Sequence, residues 1–300
     1  MIYEYAVSPS LFSQPSNLAL LFQAFEAGSG RLISDYPCRK WLQYAREFIK
    51  SSVSDQVEQR ACLELLIGLE KKRVLLERQG TLWDEQKNWI NNAIDEHHRK
   101  KFHAILNDQA VAAEKDVIGY GPAIGSNPLW PNPGTRSVLR QAPDLVKSAA
   151  DLIGVSTTLV MVDRNFIPSE ARFLNVLNAF AQHVRSSASA SGITQISYVT
   201  AYEKDRKSFQ TPQLFEKDCN FFIPSVIPVG IKVKFNIKTK MLLHKRLILT
   251  DRGAILFEHG LDEGQGAVLL ARLAPDDFEK EWSLWDTQLM HSFTIVGTKT

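Results

Sequence analysis

Apolar residues in the first hundred positions recur three and four apart. Leu18, Leu21, Phe22 and Phe25 form one such stripe, and Trp41, Tyr44, Ala45 and Phe48 a second. Ser54 stands as a cap before a third, Val57, Ala61, Leu65 and Leu69, which Leu75 and Leu76 extend. Thr81 opens a fourth carrying Trp83, Trp89, Ile90, Ile94, Phe102, Ile105 and Leu106. The spacing predicts an all-α N-terminal domain over residues 1–115, with a short strand at Ile2–Val7.

The pattern changes after a Gly- and Pro-rich stretch at 116–135, which reads as a connector. Trp130 within it is too apolar for a free linker and is expected to pack onto one of the domains. From Pro143 onward, short apolar runs alternate with helical stripes. Strands are predicted at Leu159–Val162, Ile193–Val199, Ile231–Ile237 and Ala267–Leu270, and helices at Ser169–Arg185, Pro212–Phe222 and Pro275–Leu289. Between them, Leu242 to Gly264 reads as strand, turn at Asp251-Arg252-Gly253, strand and polar loop. Residues 136–300 are therefore expected to form an α/β domain, a mixed sheet with flanking helices.

Composition narrows this picture little. The formal net charge is +2 over 300 residues, spread evenly between the halves, so a phosphate-binding surface has to be a local patch. Cys38, Cys62 and Cys219 are scattered and odd in number, which suits a reducing cytoplasm and neither a disulfide framework nor a metal spacing. No run approaches the ~20 apolar residues of a membrane span, and the N-terminus lacks the character of a signal peptide. Neither a metal nor a cofactor is expected.

The chemistry concentrates near residue 244. On a strand, His244 and Arg246 project side by side from one face, with Lys245 opposite and Asp251 at the strand end. Neutral imidazole is populated near pH 7 and can act as a nucleophile, and a guanidinium matches phosphoryl oxygens. The His244, Arg246, Asp251 spacing resembles the phospholipase D superfamily signature H-x-K-x4-D, with Arg in the lysine position. His259-Gly260-Leu261-Asp262 downstream, together with Val162-Asp163-Arg164-Asn165 and Phe173-Leu174-Asn175-Val176-Leu177, is similar to the phospholipase D-like C-terminal domain of MIT-domain proteins. The resemblance covers roughly the second half of the chain. It implies a phospholipase D-like fold in which His244 attacks phosphorus without a metal while Arg246 holds phosphoryl oxygens. That chemistry needs two histidines, and the chain carries one motif, so the resemblance implies a homodimer.

Other residues have two readings each. His259 is a second acid/base group or a loop residue. Asp163 ends a strand where α/β folds place sites, or caps a turn. Asp262 and Glu263 follow in the same loop. Lys232, Lys234, Lys238 and Lys240, with Lys245, either rim a groove for a polyanion or guard a sheet edge. The basic run from His97 to Lys101 reads as a solvated helix face. The sequence thus points to a cytoplasmic phosphodiester-directed protein acting on nucleic acid, suited to a nuclease role in a prokaryotic defence or mobile-element system. The alternative is a catalytically inactive assembly module binding a protein, nucleic acid or anionic lipid, with the N-terminal domain supplying a further protein contact.

Overall fold

In the structure, a computed structural model, every residue is described except 1, 14, 26–28, 72–73, 132–133 and 203–210; side chains are described for all of these but 13, 15, 187–191 and 202. The chain divides into two compact units, Ile2–Pro133 and Gly134–Thr300.

The first unit is not all-α. Five strands, β1 (Tyr3–Val7), β2 (Arg31–Asp35), β3 (Leu75–Glu77), β4 (Ala104–Asn107) and β5 (Val117–Gly119), form a parallel sheet in the order β3-β2-β1-β4-β5. The helices are α1 (Pro15–Ala24), α2 (Trp41–Ser52), α3 (Gln56–Lys71) and α4 (Trp89–Arg99). Leu75 and Leu76 leave the third helical stripe for β3, and Ile105 and Leu106 leave the fourth for β4. With only two or three consecutive apolar residues each, these strands pass for continuations of the neighbouring helical stripes. Tyr5, Val7, Ile33 and Leu106 meet α1–α3 on one face, through Leu21, Trp41, Ala45 and Leu66. Ala6, Ile105 and Val117 meet Ala93 of α4 on the other.

The expected connector at 116–135 belongs to this unit. It supplies β5, and Trp130 is buried against Tyr5, Phe25 and Tyr120, with the Arg31 guanidinium 4.3 Å from its ring. The basic helix end is only partly solvated. His97 is buried with Nε2 2.9 Å from Asp116, and Arg99 joins Arg78 on the buried carboxylate of Glu96.

The second unit contains β6 (Arg136–Leu139), α5 (Ala142–Gly154), β7 (Leu159–Val162), α6 (Ala171–Ser191), β8 (Gln195–Tyr202), α7 (Pro212–Phe222), β9 (Lys232–Thr239), β10 (Leu247–Thr250), β11 (Gly253–Phe257), β12 (Ala267–Arg272), α8 (Pro275–Leu284) and β13 (His291–Val296). Its eight strands run β13-β9-β8-β7-β10-β11-β12-β6. The central β7, β8 and β9 are parallel and the remaining pairs antiparallel. Phe166, Tyr198, Phe215 and Phe235 pack as an aromatic cluster with ring centroids 4.5 to 6.3 Å apart. Among the described residues no helix is long and apolar enough to cross a membrane.

Candidate functional site

The carboxyl ends of β7, β8 and β9 lie at the same end of the sheet as the start of β10 and the end of β11. In α/β folds this is the end where site residues gather. Val162 pairs with Leu247 in an antiparallel register, so the next residues outward, Asp163 and Arg246, face one another across the strand ends.

Asp163 is fully buried. Its Oδ1 accepts the Asn165 N–H at 2.8 Å and its Oδ2 accepts the Leu261 N–H at 2.8 Å. Burial pushes its carboxyl above the usual aspartate range, against the pull of those two N–H groups and of Arg246. Among the described residues, the buried Arg246 Nε has no hydrogen-bond partner. Asp163 thus follows the last residue of β7 and holds the turn that comes next.

Asp163 also fastens the loop after β11. Gly260 is required there by close approach, because a Cβ would stand 2.7 Å from Asp262 Oδ1 and 3.3 Å from Asp163 Oδ2. Asp262 is almost fully buried and takes Arg140 on Oδ1 at 2.6 Å and Arg172 on Oδ2 at 2.8 Å. Glu263 accepts the Ala142 N–H and the Asn175 amide. His259, exposed on the same loop, shares a depression of about 270 Å³ with Arg140, Arg172 and Asn165. Arg140 and Arg172 have no signal in the sequence; one follows β6, the other lies in the first turn of α6, and only the fold brings them to Asp262.

His244 lines a different depression, of about 230 Å³, between the sheet and α8. It does not lie on a strand: β10 begins at Leu247, and residues 243–246 form an irregular stretch that leads into it. His244 and Arg246 are therefore not neighbours on a strand. The imidazole is exposed, and Lys238, Lys245 and Lys280 line the same depression, as do Glu281 and Trp285. Lys245 binds Asp277 at 3.2 Å and Glu281 at 3.1 Å; burial opposes its charge, but these two carboxylates outweigh it and hold the ammonium pKa up. Lys238 is buried, donates to the Leu284 carbonyl, and is held below the ordinary lysine range by burial.

Asp251 belongs to neither depression. Thr250 pairs with Gly253 and with Leu159, the start of β7, so Asp251 sits at the far end of the sheet. There it accepts the N–H groups of Thr157 and Thr158 at 2.8 and 3.1 Å and fixes a turn.

The lysine run does not guard an edge, since β9 lies between β8 and β13. Lys232, Lys234 and Lys238 share the face opposite Val233, Phe235 and Ile237. At strand rise, Lys232 and Lys238 are ~20 Å apart, so the run spreads along the sheet instead of converging. Lys238 and Lys240 are at the His244 end, while Lys232 is at the other. Among the described residues no three His, Cys, Asp or Glu side chains converge as a metal-binding group.

No protein-family model matches the chain, and no curated protein is significantly similar to it.

Proposed function

We propose that the second unit is a phospholipase D-like module that engages a phosphodiester of nucleic acid through the His244 depression. The observation that carries this reading is the exposed imidazole of His244 beside three lysines, at the sheet end where Asp163 and Arg246 meet. A phosphate there meets local positive charge in a chain of almost no net charge.

In the catalytic form of this reading, neutral His244 attacks phosphorus. A P–N bond forms as the P–O bond to the leaving group breaks. The departing oxygen takes a proton from a second, protonated imidazole. Water then attacks phosphorus, gives its proton back to that imidazole and releases His244. One copy of the motif supplies one of the two histidines, so the second is His244 of a second copy, placed by a two-fold axis.

A second reading is favoured by the partners of the cations. Lys245 is held by two carboxylates, Lys238 by a backbone carbonyl, and Arg140 and Arg172 by Asp262. A site whose cations already have internal partners suits binding better than turnover, with the first unit contributing a separate contact.

Incubation of the full chain with single- and double-stranded oligonucleotides in EDTA tests both. Cleavage that persists in EDTA and vanishes in folded His244→Ala supports the catalytic form. Binding without cleavage, weakened by Lys280→Ser, supports the binding form. Cleavage that requires a divalent metal, or that survives His244→Ala, removes the histidine mechanism.

A further inference from the structure

The first unit carries a cavity of its own. It measures about 520 Å³, within the usual range for small-ligand sites, and lies over the carboxyl ends of β1 and β4. In the order β3-β2-β1-β4-β5 the chain reverses direction across the sheet between β1 and β4. The crossovers on one side of that point pack α1–α3 on one face, and the crossover into β4 packs α4 on the other. The two sets diverge and leave a crevice, the position at which open α/β sheets take ligands.

The walls of the crevice are aromatic. Tyr44 and Phe48 come from α2 and Trp89 from the start of α4. Positions 44, 47, 48 and 51 form one stripe of α2, distinct from the core stripe of Trp41, Ala45 and Ile49. The floor is polar but uncharged, with Ser8 and Ser10, hydroxyls 2.7 Å apart, and Asn107 at the end of β4. Among the described residues of the lining, Glu47 on the exposed side of α2 is the one charged side chain.

That chemistry selects against phosphate. Among the described residues, no lysine or arginine lines the cavity. The turn after β1 is Ser8-Pro9-Ser10, with no glycine to let an anion approach the backbone, and Pro9 offers no N–H. The N–H groups of Ser8 and Leu11 are already spent on Leu106 O and Ser8 O. The remaining features, flat apolar walls, a floor of hydroxyl and amide groups and a single rim carboxylate, fit a flat heteroaromatic ring with polar edges and neighbouring hydroxyls.

We infer that this crevice binds a purine nucleoside without phosphate, its base between the aromatic side chains and its ribose hydroxyls toward Glu47. The site lies within the first unit and does not depend on the phosphodiester reading of the second.

Calorimetric titration of the full chain with adenosine, guanosine and adenosine monophosphate tests it, alongside a single-stranded oligonucleotide. One nucleoside is expected to bind with a dissociation constant between micromolar and millimolar, and its monophosphate more weakly. Ser51→Trp, which fills the exposed rim without touching the core, is expected to lower the affinity by about tenfold or more; Ser51→Ala keeps it, and Glu47→Gln weakens it. His244→Ala leaves nucleoside binding unchanged. Absence of heat with both nucleosides at millimolar concentration overturns the inference, as does unchanged binding in Ser51→Trp. A monophosphate that binds more tightly than its nucleoside overturns the exclusion of phosphate. Binding of the oligonucleotide that Ser51→Trp abolishes, with no binding of free nucleoside, overturns the free ligand and assigns the crevice to a base within a strand.

Discussion

Asp163 and Leu261, ninety-eight residues apart, are joined by a 2.8 Å hydrogen bond from the Leu261 N–H to the buried Oδ2 of Asp163. This bond ties the end of β7 to the loop after β11. It places His259 and Asp262 at the same end of the sheet as Arg246. The loop is built around a buried carboxylate, so its geometry depends on groups that leave little room for substitution.

Gly260→Ala tests that dependence most directly. The added methyl meets Asp262 Oδ1 at 2.7 Å, and Asp262 is held by two arginines. A loss of about 1–3 kcal/mol in the second unit is expected, read as a lower denaturant midpoint at unchanged slope. A midpoint within error of the wild type would show that the loop yields freely.

Asp163→Ala removes the acceptor of two N–H groups and the charge opposite Arg246. The expected cost is about 2–4 kcal/mol. Burial raises the Asp163 pKa, so ionisation of this group costs the folded state stability as pH rises from the unfolded value, ~3.9, through the raised native value. Once Asp163 is removed, stability measured across that interval should climb more steeply with pH than in the wild type.

Glu96 in the first unit has the opposite sign. Burial pushes its carboxyl up, but hydrogen bonds from Arg78 and Arg99 outweigh burial and hold it below the ordinary glutamate range. Its contribution is present above the unfolded value, ~4.3, and is lost as pH falls through the lower native value. Glu96→Ala leaves the buried Arg78 guanidinium short of one carboxylate and is expected to cost about 3 kcal/mol at neutral pH. It should also flatten the acid limb of the stability curve, which thermal melts from pH 3 to pH 7 would show.

Lysines near the two ends of the sheet should behave differently toward nucleic acid. Lys280→Ser and Lys240→Ser, at the His244 end, are expected to weaken oligonucleotide binding and to reduce the salt slope by about 1 each. Lys232→Ser, ~20 Å away along the strand, should change neither. Equal effects of all three would argue for a polyanion lying along the whole sheet face.

The shared active site requires two copies of the chain. Light scattering of the full chain at tens of micromolar is expected to give a dimer mass. A clean monomer that nevertheless cleaves would rule out a site shared across a two-fold axis.

How much of this the sequence determined differs between the two units. Leu159–Val162 and the alternation of Val233, Phe235 and Ile237 mark strands that the structure contains, because each run is long enough and bounded by turn residues. The sequence also marked Asp163, Arg246 and the 259–262 loop as residues worth examining. It did not determine that Arg246 faces Asp163, that Arg140 and Arg172 share Asp262, or that Asp251 lies at the far end of the sheet. Those follow from the β7–β10 register and from contacts across about 90 to 120 residues, which no local spacing encodes. In the first unit even the fold class was decided by tertiary structure. Apart from β1, which falls on the strand expected at Ile2–Val7, its strands carry only two or three consecutive apolar residues, too few to stand apart in the sequence, and only pairing with one another made them a sheet.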